Sequence, residues 1–136
     1  MIGLDTNVLV RYLVQDDARQ ANAAAKLIAR HCSKEQPGRI SLVVLCELVW
    51  VLSRAYRFSS PTIAGVIEKL LQTAELEIES ADIAWAALRL YRSADAGFAD
   101  AVIGLCNQQA GCQLTATFDA GAARLATFGD VTQLIA

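Results

Sequence analysis

Four acidic residues stand where metal-dependent chemistry could arise. Asp5 and Asp119 each follow a short apolar run that is typical of a buried strand, and Asp100 lies in the first turn of a predicted helix. Glu47 interrupts a helix that is apolar on most sides, so we expect it to be largely buried and to need a partner. Taken singly, the Asp residues could instead cap their helices or complement the helix dipole.

The predicted elements place Asp5 and Asp119 at comparable positions. Strands are predicted at 1–4, 39–43, 76–79, 113–118 and 131–135, and helices at 8–14, from 16 onward, around residue 47, from 61, at 80–92, at 98–109 and directly after residue 119. This alternation predicts one α/β domain over residues 1–136 with a parallel sheet. Ligands of such sheets bind beyond the carboxyl ends of the strands, where both residues fall.

Four carboxylates that converge at one edge of a sheet would repel one another. Two unit charges 4 Å apart interact by about 4 kcal/mol at an effective dielectric near 20. Such a cluster requires a cation or shared protons, and oxygen-only ligation suits Mg²⁺ or Mn²⁺. A bound ion of this kind could activate water and neutralise charge on a phosphate, which predicts a phosphodiester-cleaving site. It would also allow a chain with a net charge of −2 to act on nucleic acid.

The bulk composition is that of a globular intracellular protein. Hydrophobic residues make up 54% of the chain and charged residues 19%, which excludes an intrinsically disordered protein. The four cysteines have no zinc-binding spacing, and a reduced, cytoplasmic setting is the simplest interpretation. Neither a signal peptide nor a membrane span is evident, so we expect a soluble protein without a membrane partner.

The order of the acidic motifs resembles that of the PIN-domain ribonucleases. The matching segments are IGLDTNVL at 2–9, VLCELVWVL at 44–52, FADAVI at 98–103 and TATFD at 115–119. Size and pattern are similar to those of the VapC-like toxins of bacterial toxin–antitoxin pairs. The resemblance implies a three-layer α/β/α sandwich with a central parallel sheet, and endoribonuclease activity on RNA. It also implies inhibition by a cognate antitoxin and assembly as a homodimer.

The resemblance further implies roles for individual residues. A Mg²⁺ or Mn²⁺ ion would be held by Asp5 and Asp100, with Glu47 and Asp119 completing the acidic shell. Many relatives carry an additional acid close to the third motif. The nearest acid here is Asp95, which ranks below the other four because a glycine directly precedes the motif.

Three further polar residues and one arginine flank the acids. In the resembling family, groups at the positions of Thr6, Asn7 and Thr117 often orient the acids or the attacking water, whereas the sequence itself favours turn and cap hydrogen bonds for them. Arg11 lies one helical turn after Asn7 and could either contact a substrate phosphate or remain a solvated surface residue. The alternating glutamates at 75, 77 and 79 are typical of the solvated face of an edge strand.

Three alternative functions compete with a nuclease. Haloacid-dehalogenase-like phosphatases carry a second aspartate two residues after the first, but Asn7 occupies that position. Receiver domains need a lysine after a late strand, and the last lysine of this chain is Lys69. A non-catalytic PIN-like binding module is the third alternative, and nuclease activity that EDTA abolishes would exclude it.

Overall fold

The computed structural model describes residues 1–94 and 96–136, which form two compact units, Met1–Ala81 (unit 1) and Asp82–Ala136 (unit 2). Asp95 lies outside the described residues. Each unit combines helices with parallel strands, which confirms the predicted α/β class. That the whole chain forms a single domain stays a prediction.

Unit 1 contains a three-stranded parallel sheet with the order β1-β2-β3. Its elements are β1 (Ile2–Gly3), α1 (Thr6–Val14), α2 (Ala18–His31), β2 (Gly38–Ile40), α3 (Leu42–Arg54), α4 (Ser60–Gln72) and β3 (Leu76–Ile78). Fully buried aliphatic side chains form the core, namely Leu9, Ile40, Leu45, Leu48, Leu52, Ile63 and Ile67. Burial of such residues supplies most of the favourable free energy of folding.

Local capping signals fix most helix starts in unit 1. The Asp17 side chain accepts a hydrogen bond from Gln20 N, and the Ser59 hydroxyl accepts one from Thr62 N, as the sequence predicts. The strand predicted at 39–43 is wrong beyond Ile40, because Ser41 caps α3 by accepting from Val44 N at 3.2 Å. Residues 42–43 therefore belong to α3 and not to the strand.

Unit 2 contains a two-stranded parallel sheet formed by β4 and β5. Its elements are α5 (Ala81–Ser93, which begins at the unit boundary), α6 (Phe98–Gln109), β4 (Thr115–Thr117), α7 (Ala120–Ala123), β5 (Phe128–Asp130) and α8 (Val131–Leu134). Phe98 is fully buried and packs edge-on against Tyr91 with ring centroids 6.0 Å apart. The strand predicted at 131–135 is wrong, because Asp130 accepts hydrogen bonds from Thr132 N and Gln133 N and thereby begins α8.

The strand ends lie where the sequence predicts them relative to the acids. Asp5 follows β1 with Leu4 between, and Asp119 follows β4 with Phe118 between. Both residues therefore stand just beyond the carboxyl ends of parallel strands, as predicted. Among the described helices, none is long and apolar enough to cross a membrane.

Candidate metal centre

Asp5 occupies the N-cap position of α1 without acting as a side-chain cap. Its backbone is extended, with φ −84° and ψ 161°, and its carbonyl oxygen accepts from Val8 N and Leu9 N, but its carboxylate accepts no capping hydrogen bond. The interpretation of Asp5 as a simple helix cap is therefore wrong. The side chain is exposed at a depression of about 530 Å³, which Arg39 and Ser41 also line. Its carboxylate oxygens are thus available to a ligand.

Glu47 lies on the exposed face of α3, so the expectation that it is buried is wrong. The helix buries the opposite side, through residues such as Leu45 and Leu48, and leaves Val43 70% and Trp50 62% exposed on either side of the glutamate. An apolar composition therefore does not mean that this helix is covered on all sides. The exposed position places the Glu47 carboxylate where a ligand can reach it.

The expectation that Glu47 has a partner is confirmed. Thr6 is a buried residue, only 7% exposed, and its hydroxyl donates a hydrogen bond of 2.8 Å to Glu47 Oε1. Thr6 directly follows Asp5, so this bond fixes the second predicted acid beside the first turn of α1. Thr6 therefore contacts an acid instead of making the local turn or cap hydrogen bond that the sequence favours, and its role in orienting that acid for catalysis stays a prediction.

Asp100 lies in the first turn of α6 and is partly exposed. Burial raises the pKa of its carboxyl group, and the negative charge of Asp119 raises it further. Gly97 is the N-cap residue of α6, and the Asp100 carboxylate lies close to it: Oδ2 is 3.5 Å from the position that a Cβ on Gly97 would occupy. The effect of Asp119 on the pKa of Asp100 shows that the two carboxylates are close enough to interact electrostatically.

Asp119 caps α7, as the sequence predicts. Its Oδ1 accepts from Gly121 N at 2.7 Å and from Ala122 N at 3.3 Å. Thr117 Oγ1 accepts from Asp119 N at 3.0 Å, which confirms the turn role favoured for this threonine.

The predicted acids thus lie two in each unit, Asp5 and Glu47 in unit 1 and Asp100 and Asp119 in unit 2. Within neither unit do the described residues bring three or more His, Cys, Asp or Glu side chains close enough to hold a metal ion. The four acids present carboxylate oxygens alone, a donor chemistry that fits Mg²⁺ or Mn²⁺. That they form one metal site stays a prediction.

The start of α3 depends on two residues that the sequence did not identify. Ser41 caps the helix, and Glu79 Oε1, from beyond β3, accepts from Leu42 N at 2.8 Å. Glu79 is therefore a capping residue of α3, although its alternation with the glutamates at 75 and 77 suggested only a solvated strand face. Glu77 fits that interpretation, since β3 is an edge strand of its sheet and Glu77 forms an exposed ion pair with Arg39 at 2.7 Å. Ser41 and Glu79 thus fix the first turn of α3, the helix that carries Glu47.

A comparison with protein families excludes two of the three alternatives. The model of the PIN domain family matches residues 2–127, which is almost the whole chain. The chain belongs to the PIN-domain family. PIN domains are generally metal-dependent nucleases and bind RNA, so this PIN domain is not one of the phosphatases or receiver domains considered above. A comparison with curated proteins gave no significant match.

Proposed function

We propose that this PIN domain is a metal-dependent endoribonuclease and the toxin of a cytoplasmic toxin–antitoxin pair. The observation that carries the proposal is the state of Asp5, an exposed carboxylate at an N-cap that makes no capping bond. A residue that only capped α1 would be expected to accept from the N–H groups of the first turn. In a family of metal-dependent nucleases, such a free carboxylate is best explained as a metal ligand.

Each of the four acids has a proposed role in binding the metal ion. Asp5 and Asp100 would hold the ion, and Glu47 and Asp119 would complete the acidic shell. When bound, Mg²⁺ or Mn²⁺ supplies positive charge to the phosphate and lowers the pKa of a coordinated water. Thr6 keeps Oε1 of Glu47 in place through its hydrogen bond, and the backbone N–H groups at the start of α7 do the same for Oδ1 of Asp119.

Cleavage of a labelled single-stranded RNA in Mg²⁺ or Mn²⁺ tests the proposal. We expect the folded native chain to cleave, EDTA to abolish cleavage, and Asp5→Asn to reduce the rate by about 100-fold or more, a loss typical of removing one electrostatic contact to a transition state. Asp130→Asn is the matched control, because Asp130 also ends a parallel strand and caps a helix but is not a predicted ligand. RNA binding without any metal-dependent cleavage would instead favour the non-catalytic binding module.

The proposed homodimer and antitoxin complex are supported by exposed apolar residues. Val43 and Trp50 extend from one face of α3, and exposed apolar surface of this kind often marks a protein interface. We expect sedimentation at micromolar concentration to give a dimer that Trp50→Ser weakens. A stable monomer of the native chain, unchanged by the antitoxin, would contradict this part of the proposal.

The toxin role has its own test. Expression of the native chain in a bacterial host is expected to arrest growth, and co-expression of the antitoxin from the adjacent reading frame is expected to relieve the arrest. The Asp5→Asn variant provides the control, since it should accumulate as folded protein without arresting growth. Arrest by that variant would separate toxicity from the proposed metal site.

A further inference from the structure

A groove between α1 and α2 lies on the helix that begins directly after Asp5. Its volume is about 360 Å³, within the range of about 300–1,000 Å³ that small-molecule sites occupy. Asn7, Arg11 and Gln20 supply its polar lining, and Val8, Ala23, Ala24 and Leu27 supply its apolar lining. Asn7 and Arg11 are one helical turn apart and so share a face of α1. At 1.5 Å per residue, Arg11 lies about 9 Å along the helix axis from Asp5.

The guanidinium of Arg11 is held by side chains from three segments of unit 1. Nε donates to Gln20 Oε1 at 2.6 Å, at the start of α2, and Nη1 donates to Asp16 Oδ1 at 3.0 Å, in the loop before it. Nη1 also lies 3.4 Å from the hydroxyl of Tyr56, which follows α3. That hydroxyl in turn donates to Asp16 Oδ2 at 2.9 Å, so the acceptors are themselves fixed.

These bonds leave one edge of the guanidinium open. Nη2 makes no hydrogen bond to any residue in the described part of the chain, and the Arg11 side chain is 34% exposed. A planar guanidinium that is already oriented loses less entropy when it binds an anion, and its fork of donors matches phosphate geometry. The hydrogen bond from Tyr56 is the main cause that lowers the pKa of Asp16, and it therefore favours the ionised carboxylate that pairs with Arg11.

We propose that this groove binds a nucleotide of the RNA next to the cleaved bond, with Arg11 Nη2 and Asn7 contacting its phosphate and the apolar lining residues contacting its base. Asp16, Gln20 and Tyr56 are then positioning residues that act through Arg11. The inference rests on the proposed ribonuclease function and adds to it a binding site with a stated ligand. The competing explanation is that the cluster only ties α1, α2 and the end of α3 together.

Cleavage kinetics and RNA binding across a salt series test the inference. Arg11→Gln is expected to raise KM about tenfold while kcat changes less than about twofold, because the lost contact is a uniform phosphate contact. The slope of log binding constant against log salt should fall by about 1. Arg54→Gln, at the exposed end of α3 and outside the groove, should change neither quantity.

Two further variants separate phosphate binding from a purely structural cluster. Asp16→Asn weakens the anchor but keeps the Arg11 charge, so it should raise KM less than Arg11→Gln and leave the salt slope intact. Arg11→Lys keeps the positive charge but loses the paired donors of the guanidinium. It should therefore keep the salt dependence of RNA binding and lose part of the RNA affinity. Thermal unfolding of each variant would confirm that it is folded.

The outcomes distinguish this inference from the proposed function. A native chain that cleaves RNA while Arg11→Gln keeps its KM and salt slope would overturn the inference alone. A native chain that neither binds nor cleaves RNA would overturn both. An unchanged RNA affinity combined with weaker antitoxin binding in Arg11→Gln would assign the groove to a protein partner and also overturn the inference.

Discussion

Thr6 and Glu47 are joined by a 2.8 Å hydrogen bond in which the buried threonine hydroxyl donates to an exposed carboxylate. The two residues are 41 positions apart, yet Thr6 directly follows Asp5. The bond therefore couples the end of β1 to the middle of α3. Because Oε1 of Glu47 accepts this hydrogen bond, the bond can set the orientation of the carboxylate.

Replacing Thr6 with Val should lower RNA cleavage several-fold while the fold is retained. Valine keeps the β-branched shape but cannot donate to Glu47, and one hydrogen bond of this kind contributes about 1 kcal/mol. The measurement is the initial rate in Mg²⁺ alongside thermal unfolding. Thr6→Ser keeps the hydroxyl and should restore most of the rate. An unimpaired valine variant would show that the orientation of Glu47 does not matter.

The two N-cap aspartates should differ in what they contribute to stability. Asp119→Ala removes two hydrogen bonds to the first turn of α7 and should cost about 1 kcal/mol. Asp5→Ala removes no capping bond and should change stability by less than about 0.5 kcal/mol. Urea unfolding of both variants at neutral pH measures the contrast. Equal losses would mean that Asp5 supports α1 in a way that its hydrogen bonds do not reveal.

The sequence correctly predicted those helix starts that are capped by a residue close by in the chain. Asp17, Ser59 and Asp119 all cap their helices as predicted, because each accepts from an N–H two or three residues ahead. The two wrong strand predictions arose where a residue that caps a helix was not recognised as a cap. Ser41 ends β2 early with the help of Glu79, which lies 37 residues from its partner, and Asp130 converts the predicted last strand into α8.

The sequence identifies four candidate acids, and that they form one site stays a prediction; some details of their surroundings could not be predicted. Asp5, Asp100 and Asp119 could be identified because strand ends and helix starts are recognisable from local patterns, whereas Glu47 was identified as a lone acid in an apolar helix. The burial of Glu47 was predicted wrongly because its apolar neighbours do not reveal which face of α3 is covered, and Val43 and Trp50 are in fact exposed. Its partner Thr6 could not be identified either, because a hydrogen bond between distant segments leaves no periodic pattern in the sequence.

Asp100 should make the stability of the protein depend on pH. Burial and the charge of Asp119 raise its pKa above the ordinary value of 3.8, so the folded state favours the protonated form. The resulting stabilisation is complete below pH 3.8 and is lost as the pH rises through the raised pKa of the folded state. At neutral pH the charged side chain therefore destabilises the fold, and Asp100→Asn should be more stable than the native chain.

Urea unfolding between pH 3 and pH 7 checks this prediction. The advantage of Asp100→Asn should be largest at pH 7 and should shrink as the pH falls towards 3.8. Added Mg²⁺ should stabilise the native chain more than the variant, because a cation favours the charged carboxylate. A difference between the two proteins that does not vary with pH would contradict the raised pKa.

Thr127 should be a site where a conservative change stabilises the protein. Its hydroxyl is buried and, among the described residues, has no hydrogen-bond partner. The side chain packs against Gly104, where an added Cβ would contact the Thr127 side chain and lie 2.7 Å from the ring of Phe128, so the space around the hydroxyl is closed. Burying such a group without a partner costs about 1–3 kcal/mol.

Thr127→Val keeps the branched shape and removes the unpaired hydroxyl, so the free energy of unfolding should rise by about 1 kcal/mol and Tm by about 4 °C. Thr127→Ser is the opposite control, because it keeps the hydroxyl and loses a buried methyl group, which should lower stability by about 1 kcal/mol. Scanning calorimetry of the three proteins measures both shifts. A valine variant that unfolds at a lower temperature than the native chain would contradict this prediction. It would mean that the Thr127 hydroxyl makes a favourable interaction in the folded state, which the valine variant loses.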